Sequence, residues 1–334
     1  MYIIVRLPSS QAGFSLIELM IATLLGIMLT FGATSIYVKN TRDAREIENT
    51  SILSENGRFA LQILTKSIRH AGFFGSTNIA DISLDNSLNE VAGDCSGLAS
   101  TFNFSTAIYV EKISSEISLD CIDDGLTDTH LLAIKRVVSK PLFDSDPEDE
   151  NAANDGIFSF PNSPEEKKVY LAGNRESGVL ALGNEIPIYP AGGEARVAWP
   201  YRVEIYYIRN LDIPTLSRKI LTWKDSGLTL DNEDLIEGVE NLVIKIGVDS
   251  NFDGNVDIFE SIESKATEWN MVEALEIDLL LRSAYPDANY VNKKTYSLPN
   301  GDFTPSLNQQ NYRRLLLHST VSLRNVKLNR RAGV

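Results

Sequence analysis

This chain of 334 residues has only two cysteines and three histidines, and it lacks an excess of positive charge. Its 31 Lys and Arg stand against 45 Asp and Glu, a formal net charge of −14. Binding along a nucleic-acid backbone rests on Lys and Arg neutralising phosphates, so nucleic acid is not expected as a partner. His70, His130 and His318 stand far apart in sequence. There is no Gly-x-Ser-x-Gly elbow, no phosphate-binding Gly-Lys-Ser/Thr loop and no His-Glu-x-x-His. The chain is therefore expected not to be an enzyme, and no catalytic residue is assigned. No internal repeat is visible, and the acidic stretch 144–150 reads as a solvated loop.

What the chain does have is concentrated at its N-terminus. Behind residues 1–13 runs a stretch from Phe14 to Val38, 25 residues in which all but Glu18 are apolar, small or hydroxyl-bearing. At ~1.5 Å per residue this helix spans about 37 Å, enough for a bilayer core. An ordinary signal peptide carries its apolar region before the cut site. Here Gly13 precedes the apolar run, so the helix would survive processing as an anchor. Glu18 is the anomaly, because a carboxylate in a membrane span costs about 2.5–3.5 kcal/mol on insertion scales and usually has a partner. In one reading, cleavage after Gly13 frees the α-amine of Phe14, about one turn from Glu18. The amine of one subunit then meets Glu18 of a neighbour in low dielectric. In the other, the segment is a simple signal anchor with Glu18 near the interface.

Residues 39–70 contain no proline, and Leu53, Gly57, Ala60, Leu64, Ile68 and Ala71 fall three or four apart. That spacing predicts an amphipathic helix with one face against a sheet. Unbroken from the anchor, the helix would be about 85 Å long. Gly57 marks either a weak point or a close contact, and Gly72-Phe-Phe-Gly75 ends the helix. Beyond it, Val203, Ile205 and Tyr207 alternate with Arg202, Glu204 and Tyr206. Leu275, Ile277, Leu279 and Leu281 alternate with Glu276, Asp278, Leu280 and Arg282, and residues 315–324 alternate likewise. Such patterns predict an antiparallel sheet covered on one side, with the long helix as the cover.

The expected fold class is α+β, a long N-terminal transmembrane and amphipathic helix packed on an antiparallel sheet head. The expected divisions are a leader at 1–13, a transmembrane half-helix at 14–38, its amphipathic continuation at 39–72 and a β-rich head at 73–334. Stretches 80–106 and 140–200, rich in Asn, Asp, Ser, Gly and Pro, read as long loops or an inserted lobe.

Cys95 and Cys121 lie beyond the apolar run. If exported they can pair, closing a loop worth about 3 kcal/mol; otherwise they are two buried thiols. A further motif runs Asp249-Ser-Asn251-Phe-Asp253-Gly254-Asn255-Val-Asp257-Ile-Phe-Glu260 and fits the twelve-position calcium loop. Asp249, Asn251, Asp253 and Asp257 would supply side-chain oxygens, Asn255 its backbone carbonyl and Glu260 the last ligand, with Gly254 at the sharp bend. Calcium is thus the one candidate cofactor. Leu242, Ile244, Ile246 and Val248 lead in as a strand, and Val256, Ile258 and Ile262 lead out, so Glu260 would share an apolar face. The alternative is a plain hairpin turn built from good turn formers.

Gly13-Phe14-Ser15-Leu16-Ile17-Glu18-Leu19-Met20 resembles the type IV prepilin processing site. The resemblance implies that prepilin peptidase cuts after Gly13 and methylates Phe14, and that Glu18 guides assembly. The leader departs from the pattern in holding only Arg6, to which the initiator amine adds a second positive charge. Ser54-Glu-Asn-Gly-Arg-Phe-Ala-Leu61 and Ile68-Arg-His-Ala-Gly-Phe-Phe-Gly75 resemble the PilW group of minor pilins. So do residues 236–249, Leu280-Leu-Arg-Ser283 and residues 313–325, in the family's order. This second resemblance implies a pilin-like minor subunit that helps initiate a type IV pilus, near its tip. Its partners would be other minor pilins and the major pilin. It would enter the bacterial inner membrane with its head in the periplasm and then join the pilus. J-type minor pseudopilins of type II secretion share the leader and the Glu-Gly-Val-Glu-Asn strand and are the alternative within this class. An adhesive tip module and a membrane-tethered periplasmic enzyme are the alternatives outside it.

Overall fold

The computed structural model describes residues 13–88, 90–114, 120–149, 154–192, 194, 196–262 and 269–331. The chain divides into two units at Ile52/Leu53. Helix α1 (Leu16–His70) supplies the first unit and opens the second. In the first unit large apolar side chains, among them Leu16, Leu29, Phe31 and Tyr37, are exposed around the helix. A helix apolar on every side needs apolar surroundings. Among the described residues it is the one helix long and apolar enough to cross a membrane. Its hydroxyls do not oppose this. Thr23, Thr30 and Thr34 donate back to the carbonyls of Met20, Gly26 and Thr30 at 3.0, 2.7 and 2.8 Å, so these polar groups are satisfied within the helix.

The second unit holds the sheets. Strands β1 (Ile82–Leu84), β2 (Ile108–Lys112), β3 (His130–Val137), β4 (Leu142–Phe143), β5 (Val169–Gly173), β6 (Gly178–Leu182), β7 (Val197–Arg209), β8 (Thr215–Lys224) and β9 (Gly227–Glu237) make the larger sheet. β7 is its spine: residues 197–200 pair with β5, 201–206 with β3 and 204–209 with β8. There follow β10 (Val239–Val248), β11 (Ile258–Ser261), β12 (Val272–Arg282), β13 (Tyr296–Leu298), β14 (Gly301–Phe303), β15 (Arg314–Ser322) and helix α2 (Arg324–Arg331). The smaller sheet runs β11-β10-β12-β15, and β13 and β14 form a hairpin. Among these strands only β1 and β6 pair in parallel, so the architecture is α+β with antiparallel-rich sheets.

Leu53, Ala60, Leu64, Ile68 and Ala71 share one core with Val110, Ile134, Tyr206 and Ile208 of the larger sheet and Leu242, Ile244, Leu275 and Ile277 of the smaller. Each fully buried Leu or Ile contributes about 1.5–3 kcal/mol relative to exposure. α1 runs unbroken through Gly57, where a Cβ would meet the δ-carbons of Leu317 and Leu281. Gly57 therefore marks a close contact. The helix stops before Gly72, whose φ of 73° is the left-handed conformation that glycine adopts freely.

The larger sheet departs from the expectation of one covered face. Val203, Ile205 and Tyr207 face a second core with Phe74, Val91, Ala107 and Leu131, while Tyr206 and Ile208 belong to the first. Polar residues on the helix side are buried because they are paired internally. Glu204 is 1% exposed and accepts from Ser67 Oγ at 3.0 Å, Arg218 Nη1 at 2.9 Å and Arg136 Nε at 3.2 Å. A buried charge is tolerated when it is paired and hydrogen-bonded. The disulfide Cys95–Cys121 lies in the second core. Lys135 Nζ ties the same region to β3 by donating to the carbonyls of Leu98 and Asn103 at 2.6 and 2.5 Å, and burial pushes its ammonium down to about 7.

Stretch 140–200, expected as long loops or an inserted lobe, contains β4, β5, β6 and the start of β7 among its described residues. Its strands are short apolar runs among turn formers, too short for alternation to reveal them.

Sequence blocks far apart in the chain meet in the smaller sheet. Arg314 of β15, with no exposed side-chain area, grips Glu240 of β10 through Nε and Nη2 at 2.5 and 2.9 Å. Removing one partner of a buried pair typically costs about 3–5 kcal/mol, because the other charge stays buried and unanswered. Glu240→Ala should therefore destabilise the full chain in detergent by about that amount in denaturant unfolding. An unchanged midpoint would contradict the role given to this pair.

Candidate functional site

Gly13 and Phe14 precede α1 and are exposed, and nothing lies within 4 Å of where Gly13 would carry a side chain. Ser15 and Glu18 bond reciprocally. Ser15 Oγ accepts the Glu18 N–H at 3.2 Å, and Glu18 Oε2 accepts the Ser15 N–H at 3.4 Å. This is a capping box, which satisfies two backbone donors at the helix start, and it holds the carboxylate at the positive end of the helix dipole. The cap is a role beside the two readings of Glu18, an intersubunit amine as partner or a place near the interface, and Ser-x-x-Glu is the spacing that signals it. Cap and amine partner are compatible. The cap engages one carboxylate oxygen, and a carboxylate offers about four lone-pair sites.

The second candidate is the turn between β10 and β11. Asp249, fully buried, accepts the N–H groups of Asp253 and Gly254 at 3.2 and 2.8 Å. Asn251 Oδ1 accepts the Asp253 N–H at 2.8 Å, and Asp253 Oδ1 the Asn255 N–H at 2.7 Å. Asp257 accepts the Ser250 N–H and hydroxyl at 2.8 and 2.7 Å, bonds that lower its carboxyl below the usual carboxylate range. Gly254 takes the bend at a φ of 90°. The turn thus brings Asp249, Asn251, Asp253 and Asp257 together in one short loop. Glu260 sits apart in β11, opposite Ile246. Ile246 is a core residue, and directly paired residues share a face, so Glu260 is turned toward the core side. Lys327 of α2 donates to the Gly254 carbonyl and lies 3.0 Å from Glu273 Oε2. That cation beside the acidic loop was not foreseen, because α2 is more than seventy residues away in sequence.

The three histidines have separate partners. His70 Nδ1 lies 2.7 Å from the Lys66 carbonyl, His130 Nδ1 accepts the Ile244 N–H at 2.9 Å, and His318 Nδ1 lies 3.1 Å from Asp278 Oδ1. The His130 bond links β3 of one sheet to β10 of the other.

The family described as the prokaryotic N-terminal methylation motif matches residues 8–34. The family described as type IV pilus-assembly protein W, PilW, matches residues 205–325. Residues 205–325 thus match the PilW family behind an N-terminal methylation motif, in agreement with both resemblances read from the sequence. The PilW match runs from the end of β7 through β15 and includes the Glu240–Arg314 pair. A type IV-like pilin from Thermus thermophilus aligns over 82% of this chain and 98% of its own, with a TM-score of 0.38 and 10% identity. No curated protein matches the chain.

Proposed function

We propose that this protein is a minor pilin that helps to initiate assembly of a type IV pilus and lies near its tip. In this reading prepilin peptidase removes residues 1–13 and methylates Phe14. The helix resides in the inner membrane with the head in the periplasm until other minor pilins and the major pilin take it up. The observation that carries the reading is the exposed apolar stretch from Phe14 to Val38, with Glu18 as its single carboxylate, one turn from the cut site. In lipid that carboxylate costs about 2.5–3.5 kcal/mol. Pairing with the Phe14 amine of a neighbour would relieve the cost and so favour the filament. A J-type pseudopilin would use Glu18 in the same way, and the match at residues 205–325 favours the PilW type.

Two substitutions separate the charge from the cap. Glu18→Ala removes both, whereas Glu18→Gln keeps a side chain that capping boxes accept. Both variants should insert in the membrane, and both should incorporate poorly into pili or the initiating complex when pilus number and subunit content are measured. Normal incorporation of Glu18→Gln with failure of Glu18→Ala would assign Glu18 to the cap alone. Normal incorporation of both would remove it from assembly.

We also propose that the loop at 249–257 binds calcium through Asp249, Asn251, Asp253, Asp257 and the Asn255 carbonyl, with water in place of Glu260. Three carboxylates in one turn repel each other, and calcium takes six to eight hard oxygens. Ligand that binds only the native state stabilises it by about 2.7 kcal/mol at a hundredfold excess over Kd. The full chain in detergent should melt higher in millimolar calcium than in chelator, magnesium should substitute poorly, and Asp253→Ala should abolish the difference. Equal melting temperatures, with no calorimetric binding, would leave a plain turn braced by Lys327.

A further inference from the structure

The outer face of the smaller sheet carries a cluster of side chains that none of these roles uses. β12 turns Leu275, Ile277, Leu279 and Leu281 into the core, so Glu276 and Asp278 lie on the opposite face. In the antiparallel register Asp278 stands directly across from His318 of the edge strand β15. Glu276 is two residues along on the same face. One ligand atom from each of Glu276, Asp278 and His318 lies within 4.8 Å of the other two. The Asp278 side chain is only 10% exposed. Its Oδ1 faces His318, but its Oδ2 has no hydrogen-bond partner among the described residues. A buried carboxylate oxygen left without a donor is costly, and the contact of the other oxygen with His318 does not remove that cost.

We propose that Glu276, Asp278 and His318 bind a divalent transition-metal ion, with zinc the best fit. One imidazole nitrogen and two carboxylate oxygens form a borderline donor set that suits zinc, whereas calcium and magnesium take oxygen alone. His318 coordinates as the neutral imidazole. Three protein ligands leave a tetrahedral position for water, and His318, 52% exposed, opens the site to solvent. Lys245 Nζ, 3.0 Å from Glu276 Oε1, competes with the ion for that carboxylate. Coordination clamps the edge strand β15 to β12. The site is distinct from the acidic loop at 249–257 in both chemistry and location.

Zinc titrated into the full chain in detergent, in calcium-free buffer and followed by calorimetry, tests the assignment. One equivalent should bind. His318→Ala alters a half-exposed side chain outside the core, so it should keep the circular dichroism and melting of the parent. Changes behind a metal's ligands already cost about 10–100-fold in affinity, and loss of this ligand should cost no less. Lys245→Gln should bind zinc more tightly, and Asp253→Ala should bind it unchanged. Zinc affinity equal in the parent and His318→Ala, no zinc uptake by the parent, or uptake lost only with Asp253→Ala would each overturn the proposal.

Discussion

One helix has to satisfy two surroundings with a single backbone. From Leu16 to Val38 α1 presents apolar side chains in every direction and folds its threonine hydroxyls back onto its own carbonyls. From Leu53 the requirement changes to a stripe of Leu53, Gly57, Ala60, Leu64, Ser67 and Ile68, all buried. The stripe shares one core with residues of both sheets. Without it the faces of both sheets that it covers would meet water. The size of each residue in the stripe matters as much as its polarity, because Leu317 and Leu281 fill the space that Gly57 leaves open.

Apolar contact alone does not fix how helix and strands register. Buried polar pairs supply that direction in two places. Ser67 on the helix bonds to Glu204, which Arg136 and Arg218 also hold. Glu240 and Arg314 join β10 to β15 across β12. A one-residue slip turns every side chain of a strand to the other face and would leave these charges buried and unpaired. The Glu240–Arg314 pair also links two of the sequence blocks shared with PilW proteins, which lie about seventy residues apart in the chain.

Helix periodicity was legible in the sequence because packing rewards it directly. Leu53, Gly57, Ala60, Leu64, Ile68 and Ala71 are the residues that spacing selected, and each is buried. Strands β7, β12 and β15 were legible from alternation for the same reason. The second cover of the larger sheet was not, because Arg202, Glu204 and Tyr206 read as a wet face until their partners are known. Nor was the sheet within 140–200, where runs of five residues give no period to count. At the N-terminus the processing motif was plain, while the capping box lay within the same six residues and was overlooked. In the acidic loop the residues were found, but the approach of Lys327 depends on tertiary contacts that no local pattern encodes.

The proposed function requires that the chain be processed as a prepilin, with α1 retained as the anchor. Intact-mass analysis of the protein extracted from membranes of a cell with active prepilin peptidase measures this directly. The expected mature chain begins at Phe14 and carries one N-methyl group. A chain that keeps Met1, or one cut on the far side of the apolar segment, would contradict it.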